Sequence, residues 1–242
     1  METKPDYLVK AGKRLDGRKL DEVRKMKIET GVIAEADGSA MVEVGKTRVI
    51  AAVYGPRELH PKHLTLPDRA RLRVKYDMFS FSVEDRKRPG PGRREIEISK
   101  VMTEAFNSVV ITERFPRAAI DVFVQIIQAD ASTRIAGLNA ASIALADAGI
   151  PMKGMVTGVT FGKLYDAKGK SYMAVDVYKP EDQWGQADIA YAKCMSNDET
   201  VLLQMDGNVT KAELLEGKAM ADKCMVEVYE EQVAALKAKY ER

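Results

Sequence analysis

Histidine and cysteine are scarce in this sequence, with two of each among 242 residues. Cys194 and Cys224 show no CxxC spacing and have no histidine nearby, so neither a disulfide framework nor a zinc cluster is expected, and a reducing, cytoplasmic setting fits. With so few histidines, and both cysteines in apolar segments, a Ser-His-Asp or Cys-His hydrolase is hard to assemble. No uncharged apolar run reaches the roughly 18 residues of a membrane-spanning helix. The opening METKPDYLVKAGKRLDGRK has no apolar core before a cleavage site, so neither membrane insertion nor export is expected. Glycine-rich nucleotide fingerprints of the GxGxxG or GxxxxGK(S/T) kind are also missing, which argues against a doubly wound nucleotide-binding fold. Net charge is only +2, so overall charge does not by itself argue for a nucleic-acid partner.

The distribution of charge is more informative than its sum. Between Arg57 and Lys100 there are twelve Lys or Arg against seven Asp or Glu, whereas from Met195 to Arg242 there are six against ten. A basic middle and an acidic end suggest one face for a polyanion and another for something else. With 45% hydrophobic residues the chain can close a sizeable core without staples.

Period-2 alternation or β-branched enrichment predicts strands at about 26–33, 39–45, 48–54, 70–78, 118–128, 154–164, 171–178, 188–195 and 199–206. In the fifth, Ile120, Val122, Val124 and Ile126 fall on one face and Asp121, Phe123, Gln125 and Ile127 on the other. Helical spacing appears three times. One stretch runs from Glu97 to Arg114 with an apolar stripe at Val101, Ala105, Val109 and Ile111. Another runs from Ile135 to Ala148, behind the capping types Ser132 and Thr133 and before Gly149. The third is a long C-terminal helix at about 210–240, with Leu215, Ala219, Val226, Tyr229, Val233, Leu236 and Tyr240 on the face expected to meet a sheet. Strands followed by helices, twice over, predict an α+β chain of two similar layered halves. No linker divides it, so residues 1–242 are expected to form a single domain with an N-terminal extension at about 1–13.

Four constellations can carry chemistry. The loop from Asp85 to Arg94 holds five cations in nine residues, with two Pro-Gly pairs that forbid regular structure. Guanidinium forks there suit the phosphates of a nucleic-acid backbone, although a solvated surface loop has the same composition. Ala131-Ser132-Thr133-Arg134 opens a helix directly after a strand, where free N–H groups, two hydroxyls and a guanidinium suit a phosphate ion; the plain alternative is a helix cap. Asp182 and Asp188 lie six residues apart between two strands and can converge to hold a divalent cation or divide proton transfer, although acidic pairs are also common turn formers. His60 and His63 flank Pro61 and Lys62 in a loop, where the proline argues against a helical metal site.

Five stretches together resemble the RNase PH family: RLDGRKLDEVR at 14–24, HPKHLTLPDRARLRVKYDMFSF at 60–81, RPGPGRREIEISKVM at 88–102, DVFVQIIQADASTRIAGLNAASIAL at 121–145 and DQWGQADIA at 182–190. The likeness is greatest to its members that form the catalytic ring of archaeal RNA exosomes. It implies an α+β, ribosomal protein S5 domain 2-like fold with two related βαβα halves, in a hexameric ring around a pore. Three active subunits would alternate with three paralogous inactive ones, with RNA-binding cap subunits above them. The implied activity is phosphate-dependent 3′-to-5′ exoribonuclease action that releases nucleoside diphosphates from single-stranded RNA and adds 3′ tails in reverse. The alternatives are a non-catalytic RNA-binding ring subunit and a homohexameric transfer-RNA trimming enzyme. By the same resemblance Ser132, Thr133 and Arg134 bind inorganic phosphate, Asp182 and Asp188 are catalytic and hold magnesium, Arg93 and Arg94 grip RNA, and Lys62 falls where the pore narrows. Ala131 stands where bacterial members usually have glycine.

Overall fold

The computed structural model describes residues 4–241, so the first three residues of the expected N-terminal extension lie outside the described residues. From residue 8 onward that segment is built into the fold. Val9–Lys10 (β1) and Lys13–Arg14 (β2) form a small hairpin around Ala11 and Gly12, and Leu8 and Val9 are buried against Leu164 and Ala174.

All nine predicted strands form. Met26–Thr30 (β3), Gly38–Val44 (β4), Thr47–Glu58 (β5), Arg71–Met78 (β6) and Ala118–Gln128 (β7) make a five-stranded sheet in the order β3-β4-β5-β7-β6. Every neighbour in it is antiparallel except β6 and β7, whose crossover is the helix Arg93–Val109 (α1). Val156–Tyr165 (β8), Ser171–Val175 (β9), Ala187–Cys194 (β10) and Glu199–Gly207 (β11) make an antiparallel sheet in the order β11-β10-β8-β9. The two layered halves are therefore present but unequal. Ile120, Val122, Val124 and Ile126 are fully buried, as their alternation requires, and each contributes on the order of 1.5–3 kcal/mol of burial energy.

Between the sheets lies Thr133–Asp147 (α2), packed against strands of both. Its alanines are the reason it can sit there: a helix buried on nearly every side needs small side chains to bring two sheets close. At Gly137 even a methyl group would come within 2.9 Å of Val124 and 3.1 Å of Met102.

Two helical expectations need correction. α1 begins at Arg93, four residues before the expected Glu97, and ends at Val109; it buries Ile98, Met102, Phe106 and Val109, Val101 lies at the edge of this stripe, and Ile111 falls beyond the helix, before a separate 3-10 turn at Thr112–Arg114. The C-terminal helix Lys211–Tyr240 (α4) is capped as a box by Thr210 and Glu213, but its buried face carries Gly217, Ala221, Cys224, Met225, Val228 and Gln232. Leu215 is 56% exposed and Val226 48%, because apolar residues surround this helix and the face with the smallest side chain docks. A methyl group on Gly217 would stand 2.5 Å from the Phe161 ring.

Candidate active site

A cleft of about 650 Å³ opens between the four-stranded sheet and the N-terminal ends of α1 and α2, and most of the residues singled out in the sequence converge on it. Arg94 reaches it from α1, Ser132, Thr133 and Arg134 from the start of α2, and Asp188 from β10. Asp182 comes from a six-residue helix, Lys179–Trp184 (α3), in a segment expected to be a turn.

The start of α2 is formed by two consecutive left-handed residues, Ala131 (φ 57°) and Ser132 (φ 55°). Neither is glycine, so this turn is held against a cost of roughly 1–2 kcal/mol per residue. The expected cap is not made. Ser132 Oγ donates to the Val177 carbonyl at 2.8 Å and bonds Thr160 Oγ1 at 2.7 Å, while Thr133 Oγ1 accepts from the Tyr76 hydroxyl at 3.0 Å. With no side-chain cap, the positive end of the helix faces the cleft and suits an anion. Arg134 stands beside it, 4.0 Å from Glu97, with its buried Nε lacking a protein partner.

The acidic pair is set by long-range contacts. Arg14 donates from Nε and Nη2 to the Glu181 carboxylate, the first at 2.7 Å, and from Nη1 to the Val175 carbonyl at 2.6 Å; this pins α3 one residue before Asp182. Asp188 sits second in β10, opposite Asp206 of β11. The carboxyls of Asp182 and Asp188 both line the cleft, and each acts on the other's titration. Burial first, then the neighbouring Asp182 charge, pushes Asp188 up to about 7. Burial likewise raises Asp182, with Arg94 and Arg134 pulling the other way.

Asp188 Oδ1 is buried without a hydrogen-bond partner, an open oxygen of the kind a hard cation takes. Magnesium needs only one or two carboxylates, its remaining positions being filled by water and phosphate, so the pair fits it. Among the described residues no group of three or more His, Cys, Asp or Glu is arranged to hold a metal.

Two expected residues lie elsewhere. Arg93 opens α1, exposed, and does not line the cleft. Lys62 lies in a 3-10 turn, Lys62–Leu64, paired with Glu58 at 2.7 Å beside Thr65 and Arg117. Sequence reasoning missed Gln204 and Asp206 of β11, Thr160 of β8 and Glu97 of α1, all in the cleft wall. Gln204 and Asp206 share a face of β11 by alternation, but no motif marked them.

A family profile described as the RNase PH 3′ exoribonuclease family, domain 1, matches residues 22–151. The chain belongs to this family. It is 52% identical to the exosome complex component Rrp41 of Archaeoglobus fulgidus, over 98% of this chain and 91% of that one. It is 54% identical to the Rrp41 of Thermococcus kodakarensis, over 95% of this chain and 90% of that one. The crystal structure of rice Rrp46 shares the fold, with a TM-score of 0.81 at 22% identity, covering 93% of this chain and all of that one.

Proposed function

We propose that this chain is the catalytic subunit of an RNA exosome, a phosphorolytic 3′-to-5′ exoribonuclease. The observation that carries the reading is a single cleft lined both by an uncapped helix end with Arg134 and by the carboxyls of Asp182 and Asp188. The high identity to archaeal proteins named as exosome components supports the same assignment.

In this reading inorganic phosphate is the co-substrate, seated by the α2 terminus, the Ser132-Thr133 turn and Arg134. Arg94, with Arg93 beside it, holds the RNA backbone, and Lys62 meets the strand further from the reacting end. A phosphate oxygen attacks the terminal phosphodiester phosphorus, the bond to the 3′ oxygen breaks, and a nucleoside diphosphate leaves. Displacement at phosphorus depends on positioning and charge neutralisation more than on covalent help, which matches a cleft lined with cations. The departing 3′ oxygen takes a proton from Asp182 or Asp188, and in the reverse direction the same carboxyls receive it. Magnesium held by these two aspartates would supply further neutralisation at the phosphates.

Residues 1–242 act in this proposal as one RNase PH-type domain. The chain works in the cytoplasm, in a ring of three heterodimers with an inactive paralogue, and cap subunits deliver RNA to the pore. Incubating the complex with an oligoribonucleotide, with and without phosphate, tests the reaction. Nucleoside diphosphates released only with phosphate are expected, and equal release of monophosphates in phosphate-free buffer would sink the reading.

A further inference from the structure

No arginine of the stretch RLDGRKLDEVR at 14–24 lines the cleft. They turn inward instead, and Arg24 lies between two chain segments that carry different parts of the site. Toward one segment, Nε and Nη2 donate to the two carboxylate oxygens of Asp176 at 2.9 and 2.6 Å, and the Arg24 backbone N–H adds a bond at 2.7 Å. Toward the other, Nη1 donates to the Asp130 carbonyl at 2.7 Å.

The positions of those acceptors give the contacts their meaning. Asp130 immediately precedes Ala131 and Ser132, the left-handed turn that opens α2, and Asp176 begins the segment that leads through Val177 and Tyr178 to α3 and Asp182. Asp176 is itself left-handed, with φ 54°. Such conformations in residues other than glycine persist only where the surroundings over-determine them. Ser132 Oγ, donating to the Val177 carbonyl, makes a second tie between the same two segments. Arg14 holds the acidic segment from its other side, through the carbonyls of Val175 and Asp176 and the Glu181 carboxylate.

We propose that Arg24 is a positioning residue for phosphorolysis: its planar fork fixes the phosphate-binding turn against the segment that carries Asp182, and so aligns the attacking phosphate with the leaving oxygen. The proposal rests on the phosphorolytic reading of the cleft. In-line displacement tolerates little error, a misplacement of about 1 Å costing on the order of a hundredfold in rate. A lysine would keep the charge but not the fork, because one ammonium cannot bond two carboxylate oxygens and a carbonyl in the opposite direction with the same rigidity.

Two variants test this in the complex with the paralogous ring subunit, with native phosphorolysis established beforehand so that silence in a variant bears on Arg24 and not on the reaction type. Arg24→Lys keeps the ion pair. Its kcat should fall about 30- to 100-fold and its KM for phosphate should rise, while RNA affinity stays within about twofold. The double variant Arg24→Met with Asp176→Asn removes both charges of the pair while Arg18 keeps its ion pair with Asp16, and Asn accepts the left-handed backbone. Its melting temperature should exceed that of Arg24→Met alone while its kcat stays at least about tenfold below native. Native kcat in Arg24→Lys, recovery of kcat along with stability in the double variant, or a loss confined to RNA affinity would each overturn the proposal.

Discussion

Asp176 and Asp182 lie six residues apart in sequence, and the charged pairs they belong to, Arg24 with Asp176 and Asp182 with Asp188, are built in opposite ways. Asp176 is buried, which alone would raise its pKa, yet Arg24 and then Arg18 hold its carboxyl below the usual range. Asp182 and Asp188 face each other, and both carboxyls are raised. The Arg24 guanidinium is bonded in several directions, whereas Arg134 Nε and Asp188 Oδ1 have no protein partner. A saturated charge pair fixes geometry; a frustrated one leaves donors and acceptors for a ligand. The frustrated set sits in the cleft and the saturated set supports it from behind.

The largest effect that tests this contrast comes from the frustrated pair. Asp182→Asn or Asp188→Asn keeps the shape and removes the titrating carboxyl, so turnover should drop by about a thousandfold or more in both directions. RNA affinity, measured by filter binding, should stay the same or tighten slightly, because a negative charge has left the cleft proposed to hold the RNA and phosphate. A variant retaining a tenth of native turnover would remove the pair from the chemistry.

Arg94 and Arg93 sharpen the comparison at the next scale, since both are exposed and neither has the saturated bonding of Arg24. Arg94→Ala should weaken RNA binding and flatten its log-log salt dependence by roughly 0.7–1, one phosphate contact, with little change in melting temperature. Arg93→Ala, outside the cleft, should change the slope less. Equal slopes in the two variants would mean that cleft membership does not decide which arginine meets the backbone.

How much of this could be read from sequence depended on the range of the contacts. β7 was legible because a half-buried strand alternates along its own length, and α2 because alanines and a glycine stop are local features. α3 was not, because six residues carry no period and its anchor, Arg14, lies 167 residues from Glu181. The docked face of α4 was misread because close approach at Gly217 outweighed the larger apolar residues on the other side. Ser132, Thr133, Arg134, Asp182 and Asp188 were each visible as chemistry, but only the family resemblance drew them together. Asp206 and the Arg24 clamp had no local mark, and Arg24 meets Asp176 across 152 residues.

The smallest expected effect concerns stability, and its sign separates the two pairs. Between about pH 4 and 7 the folded chain keeps a proton on Asp188 that an unfolded aspartate releases, so the native state binds more protons and its stability falls as pH rises through that window. Asp176 acts in the opposite sense: its folded value is depressed, so its contribution is present above the ordinary aspartate value and is lost as pH falls through the folded one. Asp188→Asn removes the first liability. In the presence of a chelator it should therefore melt about 2–6 °C above native at pH 8, corresponding to about 1–3 kcal/mol, and close to native at pH 4.5. Adding magnesium to the native protein at pH 8 should recover part of that gain, since a cation bound by the folded state alone stabilises it, and should do less for the variant. If melting curves show no more gain from Asp188→Asn at pH 8 than at pH 4.5, the carboxyl pair is not strained at neutral pH and the contrast with Asp176 fails.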